Sequence, residues 1–221
     1  MDRLAVLTGA GVSAESGLGT YRDNDGLWDN YDPMEVASIE GWYRNRKKVL
    51  DFYNMERAQL KNALPNEAHK LIASLESRFK VDVITQNVDN LHERAGSSNV
   101  VHLHGELCKV RPENTYCDAD GFSEREVYNV GYGEVHIGDK APNGVQLRPH
   151  IVFFGEAVPK MMKAIEIVSK ADIVLIVGTS LSVYPAASLY HYAPADSPVY
   201  LIDPKPPGVA DARLRQIQMV A

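Results

Sequence analysis

The chain has only two cysteines in 221 residues, Cys108 and Cys117. That is too few for the disulfide framework that replaces a large core in small secreted domains, so both are expected as free thiols in a reducing compartment. No apolar run approaches the roughly 20 residues needed to cross a bilayer. The first apolar run begins after only Met1-Asp2-Arg3, which leaves no room for a signal peptide; the expectation is a cytoplasmic protein with no membrane partner. An excess of positive charge is also missing. With 23 Lys and Arg against 29 Asp and Glu the net charge is −6, which argues against non-specific nucleic-acid binding. Repeats and low-complexity tracts are absent. What remains is 45% hydrophobic and 24% charged, a composition for one good-sized globular domain or one domain with a small insertion.

Short apolar runs at Leu4–Leu7, Val81–Ile84, Val100–Leu103, Ile151–Phe154, Ile173–Val177 and Val199–Ile202 read as strands, the last being the final strand of the chain. Between them, Met34 to about Leu64 reads as two helices broken near Gly41, and Asn66 is placed to cap a helix whose apolar face is Ala68, Leu71, Ile72, Leu75 and Phe79. Pro159–Lys170 reads as a helix opened by its proline. Periodicity disappears from Gly105 to Leu147, an expected inserted module of short strands and loops. Apolar strands alternating with helices predict an α/β fold, a Rossmann-like and mostly parallel sheet with helices on both faces. In such sheets ligands sit outside the carboxyl ends of the strands. Small or polar residues stand at those exits: Gly9-Ala10-Gly11, Thr85-Gln86-Asn87, His104-Gly105, Gly155-Glu156, Gly178-Thr179-Ser180 and Asp203. A binding crevice along one rim is the expectation.

Gly9, Gly11 and Ala14 fit the G-x-G-x-x-G/A spacing of a strand turning tightly into a helix, where backbone N–H groups approach a diphosphate. The tail Ser13, Glu15, Ser16, Gly17, Tyr21 and Arg22 is too polar and glycine-rich for a plain crossover helix. A redox Rossmann domain would reach a second strand and an acidic ribose ligand about 20 residues on; here that region reads D-N-D-G-L-W-D-N-Y-D-P. The dinucleotide is thus expected, but not in the dehydrogenase manner. Asn87 and Asp89 could cap the following helix or hold the carboxamide of a nicotinamide, which needs both a donor and an acceptor. His102 and His104 share one side of a strand, and His104, at the exit, is either a loop histidine or a general base.

Taken together and in order, G-A-G-V-S-A-E-S-G-L-G-T-Y-R, T-Q-N-V-D-N-L-H, L-H-G, R-P-H-I-V-F-F-G-E and G-T-S-L-S-V-Y-P resemble the sirtuin family of NAD-dependent protein deacylases across essentially the whole chain. The resemblance implies a Rossmann-like NAD-binding domain (1–33, 81–104, 148–221), a helical segment bordering the acyl-lysine cleft (34–80) and a small inserted module (105–147). NAD is then a consumed co-substrate and the partners are acyl-lysine proteins or peptides. Asn87 and His104 become the catalytic pair: Asn87 and Asp89 orient ribose and carboxamide, and His104 deprotonates the ribose hydroxyl that attacks the O-alkylamidate intermediate, giving O-acyl-ADP-ribose. Gly9, Ala10, Gly11, Glu15, Gln86 and Gly178 line the dinucleotide pocket. Tyr21 and Arg22 cover its reacting end, and Ser13, Thr179, Ser180 and Asp203 hold phosphates and the adenosine side. Val152, Phe153, Phe154, Gly155 and Glu156 offer an edge for an extended peptide, and Ala37 and Tyr53 border the acyl group.

The chain departs from the family pattern in four places. Leu18, Gly19 and Tyr21 stand where isoleucine-proline and phenylalanine are common, and Asp203 stands for asparagine. The two C-x-x-C pairs that hold structural zinc in many members are missing; Cys108 and Cys117 cannot assemble a tetrahedral thiolate site, so no zinc is expected. Packing of Val110, Tyr116, Phe122, Val127, Tyr128, Tyr132, Val135 and Ile137 is expected to hold the module instead. The chain also stops at Ala221, short of a further adenine-contacting turn. Family members that prefer acidic acyl groups carry an arginine three residues after the tyrosine; here that residue is Glu56, with Arg57 one further. Deacetylation over desuccinylation is the expectation. NAD hydrolysis, ADP-ribosyl transfer and a non-catalytic NAD or ADP-ribose sensor are the alternatives.

Overall fold

The structure, a computed structural model, describes residues 1–19, 31–115, 126–205 and 211–219. Six strands form one parallel sheet: β1 (Arg3–Thr8), β2 (Lys80–Thr85), β3 (Val100–His102), β7 (Ile173–Val177), β8 (Val199–Asp203) and β9 (Leu214–Gln218), in the order β3-β2-β1-β7-β8-β9. Strand order runs one way from β1 to β3 and the other way from β7 to β9, so the topological switch lies between β1 and β7. Crevices open at such points because the connections leave the sheet in opposite directions. Register places Thr8 beside both Thr85 and Val177, and Thr85 beside His102, so these exits end at one level.

Alternation along the strands supplies both faces of the sheet. Ala5, Leu7, Ile84, Val101, Val174 and Ile176 pack on one side beneath α7 (Met161–Val168) and a 3-10 segment at Ala186–Tyr192. Leu4, Val6, Val81 and Val83 pack on the other against Val12 and against Ala68 and Ile72 of α5 (Glu67–Ser74). Asn66 caps α5 as expected, with its Oδ1 accepting from Ala68 and His69. Leu71, expected on the same apolar face, is exposed.

A separate core unites α2 (Pro33–Val36), α3 (Ile39–Arg44) and α4 (Arg46–Asn62) with a three-stranded antiparallel sheet, β5-β4-β6, made by β4 (Gly105–Pro112), β5 (Tyr128–Asn129) and β6 (Leu147–Ile151). Here Trp42, Phe52, Leu60, Val110 and Phe153 are all buried. Among the residues expected to hold the module, Val110 and Val135 enter this core and Tyr128 and Tyr132 pack against it, whereas Ile137 is exposed. Tyr116 and Phe122 lie outside the described residues.

Several boundaries differ from the sequence reading. The strand expected at Ile151–Phe154 ends at Ile151 and pairs with β4, so Gly155-Glu156 is not an exit of the parallel sheet. The chain between Met34 and Leu64 breaks at Asn45, not at Gly41. Gly41 lies inside α3, where a Cβ would sit 2.3 Å from the Glu35 carbonyl; glycine is there for close approach of α2, not for a break. The helix after Pro159 starts at Met161. β9 was not anticipated: of its residues only Leu214 is buried, so the strand is specified by pairing with β8 and not by an apolar run. Among the described residues no helix is long and apolar enough to cross a membrane.

Candidate active site

Two backbone turns meet at the switch point. Gly9 N–H donates to Val177 and Gly11 N–H to Gly178, so the turn after β1 is fastened to the exit of β7. A Cβ on Gly9 would come within 2.7 Å of Thr179 Cβ, one on Gly11 within 2.8 Å of the Gly178 carbonyl, and one on Gly178, at φ +59°, within 2.4 Å of Val12 N. The three glycines are therefore required by the close approach of the two turns. α1 (Ala10–Ala14) that follows is a single short turn without a side-chain cap or an acid in its first turn. Glu15 closes it and is exposed.

Beneath this turn lies a polar cluster. Asn87 Nδ2 donates to the Gly9 carbonyl at 3.0 Å and to Ser13 Oγ at 3.1 Å. The Ser13 hydroxyl donates to Asp89 Oδ2 at 2.9 Å, while Asp89 Oδ1 accepts from Leu91 N–H at the start of α6 (Leu91–Ala95). Asp89 thus joins the amide at the start of α6 to the Ser13 hydroxyl beneath the glycine turn. Gln86 Nε2 donates to Thr179 Oγ1 at 3.1 Å, tying the β2 exit to the β7 exit. Ser180 and Asp203 stand on the neighbouring exits, Ser180 bonded to Ser182 and Asp203 to the Lys205 amide. Tyr21 and Arg22 lie outside the described residues.

His104 follows β3 and is half-buried. Its Nδ1 lies 3.1 Å from the Gln86 carbonyl, an acceptor, so Nδ1 carries the proton and Nε2 keeps its lone pair. Burial pushes its pKa below the ordinary histidine value, partly opposed by the Gln86 carbonyl. A neutral imidazole with a free lone pair is the form a general base requires. Gly105 behind it, at φ +91°, accepts no side chain, because a Cβ would meet the His150 carbonyl at 2.0 Å.

Towards the second core, Phe154 pairs with Ser38: its N–H donates to the Ala37 carbonyl at 2.8 Å and its carbonyl accepts from Ile39 at 3.0 Å. Val152 N–H donates to the His104 carbonyl at 2.9 Å. Glu156 turns inward, where Arg148 reaches it at 2.7 Å and Arg111 at 3.4 Å, and one of its oxygens accepts from Phe153 N–H at 2.8 Å. The segment 152–156 is therefore fixed beside His104 with part of its backbone already paired, and Glu156 anchors it. Ala37 and Tyr53 are buried, the Tyr53 ring lying 6.0 Å from that of Phe153.

The arrangement has relatives. The Sir2 family model matches residues 9–185. The chain belongs to the Sir2 family. It is 56% identical to an NAD-dependent protein deacylase of Bacteroides thetaiotaomicron over 93% of this chain and 87% of that protein. To one of Helicobacter pylori it is 54% identical over 93% and 86%. A Sir2 homolog solved as its NAD complex superimposes with a TM-score of 0.85 at 37% identity, covering 99% of this chain and 84% of that one. The Rossmann-like sheet read from the sequence is thus that of the Sir2 fold.

Some residues of this Sir2 site carried no signal of their own. His69 caps α5 and lies 3.4 Å from Ser13 Oγ through Nε2; His92, with its ring 4.9 Å from that of His69, bonds Thr8 Oγ1 at 3.0 Å. His92 sits in the quoted T-Q-N-V-D-N-L-H, but only the fold turns it under β1. Burial, with the nearby His69, lowers the His92 pKa to about 3, and its Nδ1 is buried without a partner among the described residues. The unfolded chain takes up that proton near pH 6.5 and the folded one does not, so this contribution to stability is present above pH 6.5 and lost as pH falls below it. His150, lowered to about 3 by burial and by Arg111, acts in the same direction. Urea unfolding should therefore show stability falling by about 2 kcal/mol for His92 alone between pH 7 and pH 5, and His92→Gln should flatten that slope. Parallel pH dependences for the two proteins would contradict it.

Proposed function

We propose that this Sir2-family protein, an NAD-dependent protein deacylase, removes neutral acyl groups from lysine side chains, acetyl foremost, and releases O-acyl-ADP-ribose and nicotinamide. One observation carries the reading: His104, after β3, gives its Nδ1 proton to the carbonyl of Gln86 and keeps its Nε2 lone pair unpaired among the described residues, while Asn87, the residue after Gln86, reaches the Gly9 carbonyl at the switch point. The site suits the dinucleotide. Ser16 Oγ, just beyond α1, is buried with no partner among the described residues, a hydroxyl that a phosphate or ribose oxygen would satisfy. When bound, NAD supplies a cleavable bond to nicotinamide and the ribose hydroxyls. Asn87, with both contacts of its Nδ2 made to Gly9 and Ser13, keeps its Oδ1 as an acceptor for ligand. His104 Nε2 takes the proton from a ribose hydroxyl, and Thr179, Ser180 and Asp203 meet the adenosine side. The acyl-lysine peptide enters beside 152–156, the segment that runs from β6 past His104. A cytoplasmic location belongs to the same proposal.

His104→Ala and Asn87→Ala should each lower deacetylation at least 10²-fold, the smaller effect expected for loss of a general base, with the fold intact; Asn87→Ala, which leaves the Gly9 carbonyl and Ser13 without their donor, should also lose about 1–3 kcal/mol of stability. The readout is O-acetyl-ADP-ribose by mass spectrometry. Near-normal turnover of His104→Ala would remove the base assignment, and NAD loss without acylated product would favour NAD hydrolysis.

The module is proposed to work without zinc. Cys108 is half-buried and 3.9 Å from Asn90 Nδ2, and the core it flanks is apolar. Protein purified without a metal-binding tag should contain substoichiometric zinc and keep its activity in chelator; one equivalent of zinc, with activity lost to chelator, would overturn this.

The preference for neutral acyl groups rests on α4. Arg57 is fully buried; its Nε donates to the Gly133 carbonyl at 2.9 Å, its Nη1 to Leu107 at 3.3 Å and its Nη2 to Asn54 Oδ1. Spent on the module, it cannot grip a carboxylate next to Tyr53. Glu56, in its stead, has its pKa pushed up to about 7 by burial. It ionises as pH rises through 7, and its charge then repels an acidic acyl group. Matched peptides should give kcat/KM at least about 10-fold higher for acetyl- than for succinyl-lysine, equivalent to roughly 1.4 kcal/mol. The ratio should widen from pH 6 to pH 8. A succinyl preference would mean that a cation reaches the acyl end.

A further inference from the structure

The first histidine of V-H-L-H-G, His102, has no role in the proposed deacylation. Its side chain is 3% exposed. Nδ1 lies 2.9 Å from the Asn87 carbonyl, and Nε2 lies 2.7 Å from Glu93 Oε1. Both partners accept: a peptide carbonyl has no proton to give, and Glu93 is a solvent-exposed side chain whose carboxylate form is favoured by the same contact. A neutral imidazole has one N–H and can serve only one of them. The geometry satisfies both acceptors only when the ring carries two protons.

The two histidines of the motif therefore hold consecutive carbonyls of the β2 exit. His104 takes that of Gln86 and His102 that of Asn87. Asn87 is the residue whose side chain is aimed between Gly9 and Ser13. We propose that His102, as an imidazolium held by Glu93, is the positioning residue for Asn87, and that the enzyme works only while His102 is charged and His104 is not.

The charged surroundings agree. Facing His102 are Glu93 and His92 of α6, Asp89 in the turn before it, and Glu106, Cys108 and Lys109 of β4, with Lys109 bonded to Glu106 at 2.7 Å. Burial by itself would lower the pKa of His102; the hydrogen bond and charge of Glu93, then the Asn87 carbonyl and Glu106, outweigh it, and the net shift is upward. His104, half-buried and without a carboxylate partner among the described residues, is shifted downward by burial. The two rings thus shift in opposite directions, one towards the charged form and one towards the neutral form, as their roles require. Loss of the Nδ1–H···O contact on deprotonation would let the Asn87 peptide rotate, so activity is lost as pH rises through the His102 pKa.

The kinetic test rests on the deacylase reading, and a spectroscopic one does not. With an acetyl-lysine peptide, kcat/KM for NAD should be bell-shaped in pH. Glu93→Gln should move the alkaline limb down by a pH unit or more while leaving the acid limb in place and the peptide KM within twofold of wild type. Superimposable profiles would overturn the proposal. Independently, protein labelled with 15N-histidine, with the His102 signals assigned by their absence in His102→Gln, should show both His102 ring nitrogens protonated at pH 7.5. This needs no activity and no stable Glu93 variant, so it decides the case even for a protein that deacylates nothing. A neutral tautomer of His102 at that pH would sink the inference, whatever the kinetics.

Discussion

Everything at the rim depends on how closely two turns approach at the β1/β7 switch point. Gly9 and Gly11 give their N–H groups to Val177 and Gly178, at a separation no side chain tolerates. That contact fixes the Gly9 carbonyl, which Asn87 reads from below, and Thr179, which Gln86 reads from the side. A larger residue at any of the three glycines would push apart the exits of β1, β2 and β7 together. The catalytic geometry would be lost before the sheet itself, because the core strands are held separately by parallel ladders and apolar packing on both faces.

Buried polar groups then do what an apolar core could not. Ser13, Asn87 and Asp89 satisfy one another, and each hydrogen bond determines where the next side chain points. Such networks contribute modestly to net stability, but an unmet member costs about 1–3 kcal/mol, which makes one arrangement strongly preferred. Around them four histidines, at 69, 92, 102 and 104, share a small volume with opposed tendencies: burial lowers three, and the carboxylate of Glu93 raises the fourth. Among the described residues the His104 ring meets a carbonyl, whereas the His102 ring meets a carbonyl and a carboxylate, and that difference separates the two.

The second core is held in a different way. It joins helices α2–α4 to the antiparallel sheet, and the buried Arg148–Glu156 pair, with Arg148 Cζ 4.1 Å from the Phe153 ring centroid, secures the segment that runs from β6 past His104. A buried ion pair of this kind is poor evidence of stability, since desolvation offsets most of the attraction. It does specify direction: Glu156 takes the Phe153 amide inward, which leaves Phe154 to pair with Ser38 and so ties the module to the helical segment.

The sequence by itself determined the parallel sheet, the exits of β1, β2, β3 and β7, and the family, because short continuous apolar runs and glycine turns are local signals that survive without neighbours. It also determined that Asn87 and His104 belong at one rim, since strand ends in such a fold converge. Only the tertiary structure decided which histidine is free and which is charged. That depends on Gln86 and Asn87 presenting their carbonyls to two side chains on another strand, and on α6 bringing Glu93 to one of them. The same holds for Gly41, whose spacing suggested a break but whose neighbour across the turn demanded close approach. It holds for β9, a polar segment made into a strand by the open edge of β8. Pairing partners distant in sequence leave no local periodicity, and charge states are set by groups that meet only after the chain has folded.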